Sequence, residues 1–132
     1  MAEFSDYMEN KIIEVMRATT FTAVAAYVAL YTTDPTDADT GTEVSGGAYA
    51  RQLAGLAVAA GGASSNAADI TFPTAGASWG TVTHCALVDH ETNVTWGTNV
   101  NVLMWSEFDA SKVVGIGDTF KINATQLAVS VA

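Results

Sequence analysis

From residue 24 onward the chain is a series of short apolar runs, each closed by turn chemistry, with no helix-length pattern between them. The runs are 25–32, 51–59, 70–72, 82–88, 94–96, 102–105, 120–123 and 126–131. Between them stand Asp34-Pro35, Gly46-Gly47, Gly61-Gly62, Pro73, Gly76, Gly80, the polar stretch 89–93 and Gly115-Ile116-Gly117-Asp118. Short strands at this spacing pair with their neighbours rather than across helices, so the pattern predicts a mainly β chain. The expected architecture is an antiparallel β-sandwich or jelly-roll-like domain. The run 25–32 carries no charge and is followed by Asp34, Asp37, Asp39 and Glu43, which reads as a buried strand leading into a solvated loop. Leu127, Val129 and Val131 alternate with small or polar residues, as a half-buried strand requires.

The first eighteen residues follow a different period. Met8, Ile12, Val15 and Met16 fall on one face of a helix predicted over 4–18, with Ile13 beside them, a face that either closes the bottom of the sheet domain or lies on a neighbouring subunit. Ser5 suits the N-cap, and Asp6 sits where a carboxylate meets the positive helix end. One domain spanning 1–132 is expected, with the helix at 4–18, the sandwich at 24–132 and 59–68 as a flexible loop. A chain of 132 residues buries about two-thirds of its unfolded surface and needs no metal or disulfide to fold.

Only 14% of residues are charged, against about 25% in an average soluble domain. Much of the surface is therefore neutral: either a partner or further copies of the chain cover it, or the chain is a small β domain whose polarity is supplied by Ser, Thr and Asn. Fourteen acids against five bases give a net charge of −9, and the bases are scattered, which disfavours direct nucleic-acid binding. The apolar runs fall well short of the ~20 residues of a membrane span. Neither a membrane partner nor a secretory signal is expected. Cys85 is the single cysteine and lies in an apolar run, so it is expected to be a buried, inert thiol.

No reactive constellation assembles from the sequence. Gly46-Gly47 and Gly115-x-Gly117 lack the Gly-Lys-Ser/Thr ending of a phosphate loop. His84 and His90 would stand about 20 Å apart on an extended strand, too far to share a metal with Asp89 and Glu91. Cys85 and His84 are adjacent and face opposite ways. Asp34, Asp37 and Asp39 lack the ligand order of a calcium loop. Catalytic residues, cofactors and metals are accordingly not expected. Tyr27, Tyr31, Tyr49, Trp79, Trp96, Trp105 and Phe108 suit either a core or a contact face for glycans or protein.

Five blocks occur in order: 27–35 (YVALYTTDP), 46–52 (GGAYARQ), Ser65-Asn66 with Ile70-Thr71-Phe72-Pro73, 79–84 (WGTVTH) and Gly117-Asp118-Thr119-Phe120. Together they resemble a family of small tailed-phage virion proteins, labelled tail-fibre-like, minor tail or head decoration proteins, over about residues 4–131. The resemblance implies a β-rich structural protein present in many copies on a virion, without enzymatic activity, and brings no catalytic residue with it. The chain departs from that pattern at 85–90 and at the longer, more apolar segment 99–114.

The interface is expected on Met8, Ile12, Val15 and Met16 of the helix, on Met104, Trp105 and Phe108 of the divergent segment, and on Tyr49 and Arg51. Arg51, nearly alone among acids, is also expected to find a partner in the 34–43 loop. The expected location is the virion, first as a capsid decoration or cement protein on the shell exterior, with a tail or tail-fibre component as the alternative. The expected partners are the major capsid protein and copies of the chain itself, as a homotrimer.

Overall fold

The computed structural model describes residues 3–92 and 100–131; the predicted strand at 94–96 and Trp96 lie outside them. Its principal sheet has five antiparallel strands. They are β1 (Glu3–Phe4), β2 (Tyr27–Tyr31), β3 (Gln52–Leu53), β6 (Gly80–Val88) and β7 (Val102–Val114), in the spatial order β1-β7-β6-β2-β3. Two short antiparallel pairs, each joining segments far apart in the chain, complete the β structure: β4 (Ala63–Ser65) with β9 (Ala128–Ser130), and β5 (Ile70–Thr71) with β8 (Lys121–Ile122). The one helix among the described residues, α1, spans Asp6–Met16.

The central strands are continuous apolar runs because both faces of the sheet are covered. Successive side chains of a strand point to opposite faces. Val28 and Leu30 enter one core with Leu87, Phe72, Trp79, Phe120 and Ile122, where the small strand pairs close over the sheet. Ala29 and Tyr31 enter a second cluster with Ala86, Val88, Val100 and Val102. This mainly β layered arrangement is the one expected from the spacing of the runs.

Strand β7 carries the largest irregularity. Its register with β6 shifts between Val82↔Lys112 and His84↔Glu107, so that Thr83 alone opposes residues 108–111. A bulge of this kind bends the strand and re-aims its side chains. Phe108 consequently packs on Phe120, with ring centroids 5.6 Å apart.

Several boundaries differ from the sequence expectation. Residues 51–59 form only the two-residue β3, because Gly55 adopts φ 57° and takes the chain out of the sheet. The 59–68 segment, expected as a flexible loop, contains β4 in register with β9. The strand expected at 102–105 runs on to Val114.

Candidate interaction site

The turn at 46–48 places the best-defined polar cluster of the chain. Gly46, Gly47 and Ala48 have φ values of 73°, 54° and 64°, three successive left-handed residues. A Cβ on Gly47 would stand 3.0 Å from the indole nitrogen of Trp79, which donates to the Gly47 carbonyl at 3.0 Å. The turn therefore needs glycine for both conformation and space. It delivers Tyr49 against Phe72 and Trp79, and Arg51 beneath the acidic loop.

Arg51 and Glu43 make a bidentate pair, Nε–Oε1 2.8 Å and Nη2–Oε2 2.7 Å, with side chains only 1% and 3% exposed. The Tyr49 hydroxyl donates to Glu43 at 2.9 Å and accepts from the Leu30 amide at 2.9 Å. Arg51 also donates to the His90 carbonyl at 2.9 Å. Burial, reinforced by the Glu43 charge, pushes the Tyr31 and Tyr49 phenols well above their ordinary values. The Tyr49–Leu30 bond ties the turn to β2, and the other contacts join Glu43, Tyr49, Arg51 and His90 to one another. The network thus fixes the end of the acidic loop, whose Val44 enters the first core, and presents no poised acid, base or nucleophile.

The N-terminal arm is built the opposite way. Ser5 is fully buried. Its hydroxyl donates to the Val102 carbonyl and accepts from the Met8 amide at 3.3 Å, so it both caps α1 and pins it to β7. The Asp6 amide donates to the Asp37 carbonyl at 3.0 Å, and the Trp105 indole donates to the Asp37 carboxylate at 3.1 Å. Beyond this anchor α1 has no buried residue at all. Ile13, Val15 and Met16 are 52%, 51% and 75% exposed. Met8, Ile12, Val15 and Met16 line a shallow apolar groove with Lys11 and Phe21.

Asp39 sits at the edge of this anchor. One of its carboxylate oxygens is enclosed without a hydrogen-bond partner, while the other accepts from the Val102 amide at a long 3.5 Å. Burial raises its pKa to about 6; the Val102 amide opposes the rise, and the charges of Asp6 and Asp89 add to it.

The residues named from sequence therefore separate into two groups. Met8, Ile12, Val15 and Met16 share one exposed-to-half-buried helix face. Met104 is 6% exposed and Arg51 is 6% exposed, while Tyr49, Trp105 and Phe108 are half-buried within the fold. Tyr31 and Trp79 belong to the cores, so no aromatic platform is gathered on the surface among the described residues. His84 is buried beside Trp105, and His90 bonds within its own turn to Thr92. Among the described residues no three His, Cys, Asp or Glu side chains gather closely enough to hold a metal ion. Cys85 is buried, and its thiol is pushed up to about 12 by that burial.

Sequence reasoning missed two features. Ser5 was legible as a cap but not as a strand partner, since its second bond depends on Val102, ninety-seven positions away. The exposed apolar edge formed by Val24, Leu53 and Leu56 was hidden because 51–59 looked like an ordinary strand.

A comparison with curated proteins finds no match. The family model described as Podophage GP4 fiber I protein gp80 matches residues 3–130, from β1 to the end of β9. The chain belongs to this family of small tailed-phage virion proteins.

Proposed function

We propose that the chain is a non-catalytic structural component of a podophage fibre, built from several copies and attached through its N-terminal arm. The observation that carries this reading is the match of nearly the whole chain to a family described as a fibre protein. The architecture supports it. Polar side chains in the interior are used to hold loops to the sheet, and a helix that buries none of its residues offers an apolar face. Surface of that kind is characteristic of chains that complete their burial in an assembly.

The capsid exterior is the competing location. It is favoured by the absence of a repeat in the sequence, since fibre shafts are commonly built from repeated units. Antibody labelling of purified virions, viewed by negative-stain electron microscopy, separates the two. Label confined to the tail or to projecting fibres supports the fibre reading, and label distributed evenly over the head overturns it.

A further inference from the structure

Asp39 stands where three elements meet: its own loop, the start of β7 and the entry to α1. One of its carboxylate oxygens accepts from the Val102 amide at 3.5 Å, and the Ser5 hydroxyl donates to the Val102 carbonyl. The arm and this carboxylate thus share one residue of β7. The other Asp39 oxygen is enclosed with no hydrogen-bond partner among the described residues. A carboxylate enclosed in that way is costly when charged and much less so when protonated.

The charges around it make the ionised form worse. Asp6 on α1 and Asp89, just after β6, both act on Asp39, and both are acidic. Asp37 of the same loop has its carboxylate engaged by the Trp105 indole, and Asp89 accepts from the Asn101 amide at 2.7 Å. Tyr7 of α1 and Tyr31 of β2 have phenols raised above their ordinary values, so both are neutral. Lys11 of α1 lies over the Tyr7 ring, 5.3 Å from its centroid. The ion pairs among the described residues join other acids, Glu14, Glu43 and Asp69.

Of the three elements, only the arm is free to move. The loop is closed on itself: the Thr40 amide donates to the Pro35 carbonyl at 2.8 Å, and the Thr36 amide to the Asp34 carboxylate at 2.8 Å. Gly41 is packed so tightly that a Cβ there would stand 2.6 Å from the Pro35 Cα. Val102 is fully buried in the second core cluster. The helix of the arm buries none of its residues, and residues 19–26, which join it to β2, lie in neither helix nor strand. Lifting the arm admits water to Asp39 and takes Asp6 away from it.

We propose that Asp39 is a proton-operated latch for the N-terminal arm, which stays docked on β7 while Asp39 carries a proton and opens more readily once the proton is lost to solvent. The sign follows from burial. A carboxyl whose folded pKa, about 6, exceeds its unfolded value adds stability that is fully present below the ordinary carboxylate range. That stability is lost as pH rises through about 6. The latch goes beyond the fibre reading, because it concerns when the arm is available rather than what it attaches to. It operates in the isolated chain, so its test is independent of where the protein lies on a virion.

Carboxyl carbon NMR of the full chain reads the proton on Asp39, and amide protection factors read the docking of α1. Asp39 is expected to titrate near pH 6. Protection of α1 is expected to fall on the order of tenfold between pH 4.5 and pH 7.5, with β6 unchanged. Linkage is reciprocal, which separates a latch from a merely buried acid. Ser5→Ala loosens the arm from its other side and is expected to lower the Asp39 midpoint toward ordinary carboxylate values. Asp39→Asn, whose φ of 57° asparagine adopts readily, is expected to make α1 protection equal at the two pH values. Should that variant fail to fold, Asp6→Asn serves in its place and is expected to lower the Asp39 midpoint. A native Asp39 midpoint near 4, a midpoint that Ser5→Ala leaves unmoved, or a pH effect shared equally by α1 and β6 overturns the proposal.

Discussion

Strand β2 and one face of helix α1 are apolar in sequence, yet they end in opposite environments. Val28, Ala29, Leu30 and Tyr31 are at most 1% exposed, whereas the eleven residues of α1 include none that is buried. The difference follows from how each element satisfies its backbone. A strand must find hydrogen-bond partners on both sides, and β2 finds them in β3 and β6, which places its side chains inside both cores. A helix closes its own hydrogen bonds. It is therefore held by the Ser5 and Asp6 anchor alone and can leave an apolar face exposed. The strands of the body bury their apolar residues in two cores, whereas the helix of the arm leaves its apolar face exposed.

The contrast is most strongly broken by attacking the network beneath the body. Arg51→Met leaves Glu43 buried without its cation, which costs about 3–5 kcal/mol. Thermal unfolding is expected to fall by more than about 10 °C for a chain of this size. A fall of only a few degrees would show that the loop, not the pair, holds itself over the sheet.

Ser5→Ala removes the cap and the tie to β7 together, at a cost of about 1–2 kcal/mol. The loss is expected to be local. Amide exchange should accelerate through α1 while β6 keeps its protection, and uniform acceleration would mean that arm and body unfold as one unit.

The pH dependence of the anchor comes from Asp39. Its folded pKa of about 6 lies above the ordinary carboxylate value, chiefly because of burial, so the folded state binds the proton more tightly than the unfolded state does. Stability is therefore gained as pH falls through about 6 and is lost again on the way back up. Protection of α1 is expected to be greater near pH 4.5 than near pH 7.5, and Asp39→Asn should remove most of that difference. The smallest effect belongs to the exposed Glu14–Arg17 pair, 2.6 Å apart but 39% and 69% exposed. Arg17→Ala should change stability by less than about 0.5 kcal/mol in chemical denaturation.

Much of this was legible from residue order. Ser5 and the Met8, Ile12, Val15 and Met16 spacing announced the helix, and the uncharged 25–32 run announced the central strand, which forms over Tyr27–Tyr31. Arg51 announced a partner in the acidic loop, which proved to be Glu43. Three features were not legible, each for a physical reason. The two-residue β1 exists only because Glu3 and Phe4 meet Trp105 and Met104 across the sheet. The bulge at 108–111 leaves no local signature, since it is defined by a mismatch with β6. The β3 edge reads as a strand until Gly55 turns it away. Local propensity is written in neighbours, whereas register and edge exposure depend on partners far along the chain.

The placement on a fibre is tested most directly by counting. Quantitative mass spectrometry of purified virions, measured against the major coat protein, gives the number of copies per particle. A fibre component is expected at a few to a few tens of copies. A value in the hundreds, in simple ratio to coat, would contradict that placement and put the protein on the shell.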